Sequence, residues 1–200
     1  MKAYSNGLFV LLFFLLSWHG DGAPSAKGGN DFEPDEYRIE DLTIVDSVKG
    51  ATLKIGMTRE EIERLYKKDE EPSILYENYE GLGIFFRDDL VASFKIAADN
   101  NTSSRFKTAR GIGLGNGKKD VVDRYGQQYA LHGKLFGGAT SLSYRLALED
   151  GAMKPLADNA QMWMYEQENL YVIDFGFFDS KNELLSGILI GDWKSIYQMS

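Results

Sequence analysis

The side chains that most often carry chemistry are scarce in this sequence: two histidines and no cysteine stand against 30 carboxylates and 22 lysines and arginines. His19 lies in the N-terminal apolar region, which leaves His132 as the one candidate general base, and a single imidazole cannot build a two-histidine metal site. Leu131-His132-Gly133-Lys134 carries no mark of a site, so His132 reads as solvated or structural. Without a thiol or a Gly-x-Ser-x-Gly elbow, nucleophilic acyl transfer lacks its parts. The Gly-rich run Gly111 to Lys119 invites comparison with phosphate loops, but a Walker loop wants Gly at position 112 and Ser or Thr at 119, where Ile112 and Lys119 stand. The dinucleotide fingerprint fails on spacing. Asp179-Ser180-Lys181-Asn182-Glu183 lacks the spacing of a calcium loop, and Lys181 would repel the ion. Carboxylates are numerous enough for a glycosidase pair, yet Asp88-Asp89 and Glu149-Asp150 fall at predicted turns, where acids serve the backbone. No catalytic residue, metal or cofactor is assigned; a carboxylate-dependent cell-wall hydrolase is kept as an alternative from the enzyme class.

Aromatic side chains are the remaining signal. Phe85 lies between Ile84 and Phe86, and Trp163 and Tyr165 alternate with Met162 and Met164, so large residues occupy both phases of the predicted strands. One phase must then be exposed, packed between parts of the protein, or bound to something else. Tyr and Trp suit binding because they bury much area for little entropy. Phe85, Trp163 and Tyr165 are therefore candidate partner-binding residues, the alternative being that such rings fill an internal core.

The elements that would position these residues come as a repeat. Leu53 to Tyr66 aligns with Ile112 to Tyr125, matching Leu53 and Ile55 to Ile112 and Leu114, Gly56 to Gly115, Ile62 to Val121 and Tyr66 to Tyr125. Each copy runs from an apolar stretch through a Gly turn into a helix. Thr58 and Glu61 form a capping box, and Ile62, Leu65 and Tyr66 an apolar stripe; in the second copy Gly117 takes the cap position, Val121, Val122 and Tyr125 the stripe, and Gly126 the end. Strands are predicted at Ile74 to Tyr79, Gly83 to Arg87 and Leu90 to Ile96, then at Leu142 to Leu146, Gln161 to Tyr165, Leu170 to Phe178 and Leu185 to Ile190. The expected fold class is α+β: two tandem repeats, each a short helical pair packed on an antiparallel meander sheet.

Lys2 followed by an apolar run from Leu8 to Leu16 and a small-residue exit has the layout of a secretory signal peptide, the alternative being an uncleaved anchor. Residues 24–41 combine Pro, Ser, Gly and acids without apolar periodicity and read as a solvated linker. The expected organisation is a signal peptide over 1–26, an acidic linker and lead-in over 27–49, and repeats over 50–107 and 108–200. The location is then secreted or cell-envelope, with membrane contact only if the leader is retained. A net charge of −8 with no basic run is a poor match for a phosphate backbone, so nucleic acid is not expected as a partner. Nothing in the sequence sets the oligomeric state.

Ile55-Gly56-Met57-Thr58-Arg59-Glu60-Glu61-Ile62 resembles the helix start of the β-lactamase inhibitor protein family and the related SmpA/OmlA-like domains. The aromatic-rich stretch from Tyr171 to Trp193 is similar to the inhibitors' last two strands. The resemblance implies tandem domains whose sheets form a concave surface, and a hairpin that carries an acid and a tyrosine into a secreted enzyme; here that hairpin would hold Tyr79 and Glu80. Two departures stand against it: Glu80 replaces the family's Asp and follows the tyrosine rather than preceding it, and the disulfide cysteines are missing. The expected function is a secreted or envelope protein-binding module, without catalysis, for an unidentified protein partner, with an inhibitor of a secreted hydrolase as the alternative.

Overall fold

The computed structural model describes residues 32–70, 75–98, 105–134, 138–178 and 183–197, so the leader lies outside the described residues. In chain order the elements are β1 (Thr43–Asp46), β2 (Ala51–Lys54), α1 (Arg59–Leu65), β3 (Glu77–Tyr79), β4 (Leu82–Arg87), β5 (Leu90–Ala97), β6 (Phe106–Thr108), α2 (Lys118–Tyr125), β7 (Leu131–Lys134), β8 (Thr140–Glu149), β9 (Ala152–Pro155), β10 (Leu170–Phe177), β11 (Leu185–Asp192) and α3 (Trp193–Tyr197). All strand pairs are antiparallel. A three-stranded sheet runs β2-β1-β6, and an eight-stranded sheet runs β3-β4-β5-β11-β10-β8-β7 with β9 on β8. The chain is α+β.

Strand alternation decides which face is core. Register places Ile84, Phe94, Ile190, Ile173 and Tyr144 in one row across the large sheet, and Ile96, Ile188, Phe175 and Leu142 in the next; none is more than 2% exposed. The small sheet and both longer helices join this face in one cluster through Ile44, Leu53, Ile62, Phe106, Val121 and Tyr125. Tyr125 touches both Tyr144 and Phe175, with ring centroids 5.5 and 5.0 Å apart.

The helix starts form as the residue types dictate. The Thr58 amide donates to Glu61 Oε2 at 2.7 Å and the Glu61 amide to Thr58 Oγ1 at 3.2 Å, closing the capping box. At α2 the cap is Gly117, so only half the box forms, its amide donating to Asp120 Oδ2 at 2.8 Å. Gly56 and Gly115 sit at φ 87° and 85°, the left-handed turn that feeds each helix and that other residues adopt at a cost. Each helix start docks on a strand. Gly56 N donates to Val91 O, Val91 N to Met57 O and Arg59 N to Asp89 O, all at 2.8 Å; Gly115 N donates to Leu185 O (3.1 Å), Leu185 N to Asn116 O (2.8 Å) and Lys118 N to Glu183 O (3.0 Å).

Three expectations are corrected. One helix, not a pair, precedes each set of strands among the described residues. Gln161 to Tyr165 is not a strand: Met162–Met164 form a 3-10 turn, because alternation without a neighbouring strand gives the backbone no ladder to join. The described part of the presumed linker is packed rather than solvated, with Tyr37 donating to Tyr125 O at 2.7 Å and Asp41 fully buried against Arg110.

Candidate functional site

The hairpin joining β3 and β4 turns its polar groups inward. Tyr79 is fully buried, its ring edge-on to Phe86 at 6.1 Å and its hydroxyl donating to Glu77 Oε2 at 3.1 Å. Burial, reinforced by the Glu77 charge, pushes its phenol up to about 12. Glu80 stands at φ 51° and accepts from Lys49 Nζ (2.7 Å), Arg105 Nη2 (2.8 Å) and the Lys67 amide (3.1 Å). The Lys49 bond first of all holds its carboxyl at about 2, against the opposing effect of burial. As the presented tip of an insertion loop, Tyr79 is therefore corrected to a core residue. Glu80 is a structural ion-pair acid.

The other three candidates lie away from the main core. Phe85 is half-buried on the opposite, outer face of the large sheet, edge-on to Tyr76 at 6.3 Å. Trp163 is 80% exposed in its 3-10 turn, while Tyr165 packs on a second cluster of Ala147, Leu156 and Leu170. Three strands separate β4 from β8, so Phe85 and this second cluster do not form one patch.

What lies between them had no aromatic signal. The outer face carries the alternate residues: Ser93 and Lys95 on β5, Gly187, Leu189 and Gly191 on β11, Val172, Asp174 and Gly176 on β10, Ser141 and Ser143 on β8. Helix α3 is seated over Gly191, where an added Cβ would stand 2.9 Å from Ser195 Oγ and 2.3 Å from Ser93 Cβ. Asp192 anchors it, accepting from the Ser195 amide at 2.7 Å and from Arg87 at 2.6 and 3.0 Å. Elsewhere on this face a cleft of about 280 Å³ opens, lined by Tyr76, Lys95, Ala97, Asp174, Leu189 and the two glycines 176 and 187. Asp174 accepts from Ser143 Oγ at 2.5 Å. Burial raises its pKa, opposed by that bond and by the Phe175 amide. In the sequence these residues are the polar, small-residue phase of the predicted strands, a phase without an aromatic signal.

The Gly-rich run lines another cavity, of about 410 Å³, with Asn116, Asp120 and Asp123. Asp120 and Asp123 share its wall with Arg110 and Arg124, the Arg110 guanidinium is already bound to Asp41, and the glycines serve the turn. His132 is exposed on β7. Among the described residues no three His, Cys, Asp or Glu converge on a metal position, and no helix is long and apolar enough to cross a membrane. Comparison with protein-family models, with curated proteins and with solved structures finds no match to this chain.

Proposed function

We propose that this protein is a secreted or cell-envelope, non-catalytic protein-binding module built from two divergent copies of one helix-plus-meander unit, and that it binds through the open outer face of its large sheet. The observation that carries the binding reading is that face itself: one side of a central sheet left partly uncovered, floored by small residues and edged by Tyr76, Phe85, Lys95 and Leu189. An antiparallel sheet tolerates one solvated face, but solvated faces are normally covered with long polar side chains rather than Gly and Ser.

The duplication is supported by the matching backbone bonds of the two helix starts, with Asp89 and Glu183 both at positive φ, and by a bulge at the same place in β4–β5 and β10–β11. Pairing Phe94 with Ile190 and Ile96 with Ile188 puts a pseudo-two-fold through the Lys95–Leu189 pair. An inhibitor of the β-lactamase-inhibitor type remains within this reading, with the sheet face rather than the Tyr79–Glu80 hairpin as the contact.

A photo-crosslinking residue placed at position 85 or 189 should capture one protein from the medium or envelope fraction of the producing cells, and the same residue at exposed Ile39 should not. Equal capture from all three positions, or none from 85 and 189, would remove the outer face as the contact surface.

A further inference from the structure

We propose that the cleft on the outer face is a receptor for one basic side chain, lysine or arginine, of a partner protein: Asp174 takes the charged head, and Gly176 and Gly187 form the floor on which the partner's chain lies. This rests on the outer face being the binding surface and names what that surface selects.

The glycines are the first argument. Gly176 and Gly187 face each other in register in two adjacent strands at the centre of the sheet, where glycine is destabilising relative to alanine. Neither has positive φ. A Cβ at 176 would meet nothing nearer than Gly187 O at 3.9 Å, and one at 187 nothing nearer than Ile96 O at 3.7 Å. Gly191, by contrast, is required by the helix seated on it. The pair flanks the bulge in β10–β11, but the matching bulge in β4–β5 is flanked by Phe85 and Ser93, so the bulge does not require glycine. Glycine that neither conformation nor internal packing demands marks close approach by something from outside.

The carboxyl is the second. Asp41, Asp46, Glu77, Glu80 and Asp192 are each matched with a cation within 2.8 Å. Asp174 sits inside the cleft with Ser143 as its side-chain donor and, among the described residues, no ion pair. A partly desolvated carboxylate without a cation is complementary to an incoming one. The charged and titratable groups around it are Lys95 on β5, Arg145 on β8 and Tyr197 on α3. Lys95 stands two strands away, roughly 9–10 Å at ordinary strand spacing, and its ammonium lies 5.8 Å from the centre of the Tyr76 ring. Arg145 is turned to Trp193, 5.8 Å from its ring centroid. Lys95 repels a cation from its own end of the cleft, so the head is directed to Asp174.

Size is the third. A 280 Å³ cleft is below the range of about 300–1,000 Å³ usual for small-molecule sites, but it accommodates one long side chain whose methylenes lie on Leu189, Ala97 and Tyr76. The net charge of −8 favours a basic partner at long range.

The test uses the ¹⁵N-labelled full chain with the N-acetyl, N-methylamide derivatives of lysine, arginine and norleucine as probes. The two basic probes should give saturating shifts of the Gly176 and Gly187 amides, norleucine at least tenfold weaker ones. Asp174→Asn should weaken the basic probes tenfold or more, and Gly187→Val should abolish them, both without a lower Tm. No saturating shift, equal binding of norleucine, or unchanged binding by Asp174→Asn would overturn the proposal. If the probes fail while crosslinking at 189 succeeds, the receptor falls and the binding face stands.

Discussion

Arg110 is fully enclosed, and every one of its five N–H donors has an acceptor. Nε donates to Asp41 Oδ1 (2.6 Å), Nη1 to Glu33 O (3.1 Å) and Arg124 O (2.6 Å), and Nη2 to Asp41 Oδ2 (2.8 Å) and Glu36 O. Phe32, Tyr37 and Tyr125 surround the guanidinium at 5.0, 5.1 and 4.6 Å from their ring centroids. This residue therefore pins the N-terminal segment 33–41 by meeting two of its carbonyls, Glu33 and Glu36, and its one buried acid. Arg110→Met should cost about 3–5 kcal/mol in urea unfolding, because it strands the Asp41 charge. The double change Asp41→Leu, Arg110→Met should recover only part, since the carbonyls of Glu33, Glu36 and Arg124 stay unmatched. Full recovery would reduce Arg110 to a charge balance and nothing more.

Between elements, a second charged knot ties the β1–β2 turn to β6 and to the β3–β4 hairpin. Asp46 is fully buried and accepts from Arg105 at 2.7 Å, from Tyr66 at 3.0 Å and from the Val48 amide at 2.8 Å; Arg105 also reaches Glu80. Burial alone would raise the Asp46 carboxyl, but these bonds, Arg105 foremost, outweigh it and hold the group at about 2. A carboxyl held below its unfolded value near 3.9 stabilises the fold above that pH and loses the contribution as pH falls through 2, about 2–3 kcal/mol for this group. Tm should thus fall between pH 4 and pH 2, and Asp46→Asn should lower Tm at pH 7 and flatten that fall. Parallel curves would exclude the linkage. Long strands such as β5, β10 and β11 were legible because eight alternating residues leave little choice of period, and the α1 cap because Thr58 and Glu61 have the capping spacing. Short strands were not: Phe106–Thr108 and Leu131–Lys134 are held by their neighbours and hold no pattern of their own. Tyr79 belongs to the core because the aromatic phase of its strand faces inward; in β10 the aromatic phase is likewise the core and the quiet phase, Asp174 and Gly176, is the surface.

At the scale of the molecule, the division at residue 107 is not a division of the core. β5 and β11 pair at five positions from Gly187–Ala97 to Gly191–Ser93, and the buried row running Ile84, Phe94, Ile190, Ile173 mixes residues from both sides of that boundary. The small sheet belongs almost wholly to the first half, yet its Ile44, Leu53 and Phe106 share one cluster with Val121, Tyr125 and Phe175 of the second. Separating the halves would open two long apolar edges, which strands do not tolerate in isolation. The chain should therefore unfold in one cooperative step, with far-UV circular dichroism and tryptophan fluorescence coincident, although Trp163 and Trp193 both lie in the second half. Ile188→Ala, at the seam, should destabilise that whole step by about 2–5 kcal/mol rather than one part of it. A biphasic transition in which fluorescence and dichroism separate would mean that each half closes its own core, and the continuous sheet would then be a docking of two independent units.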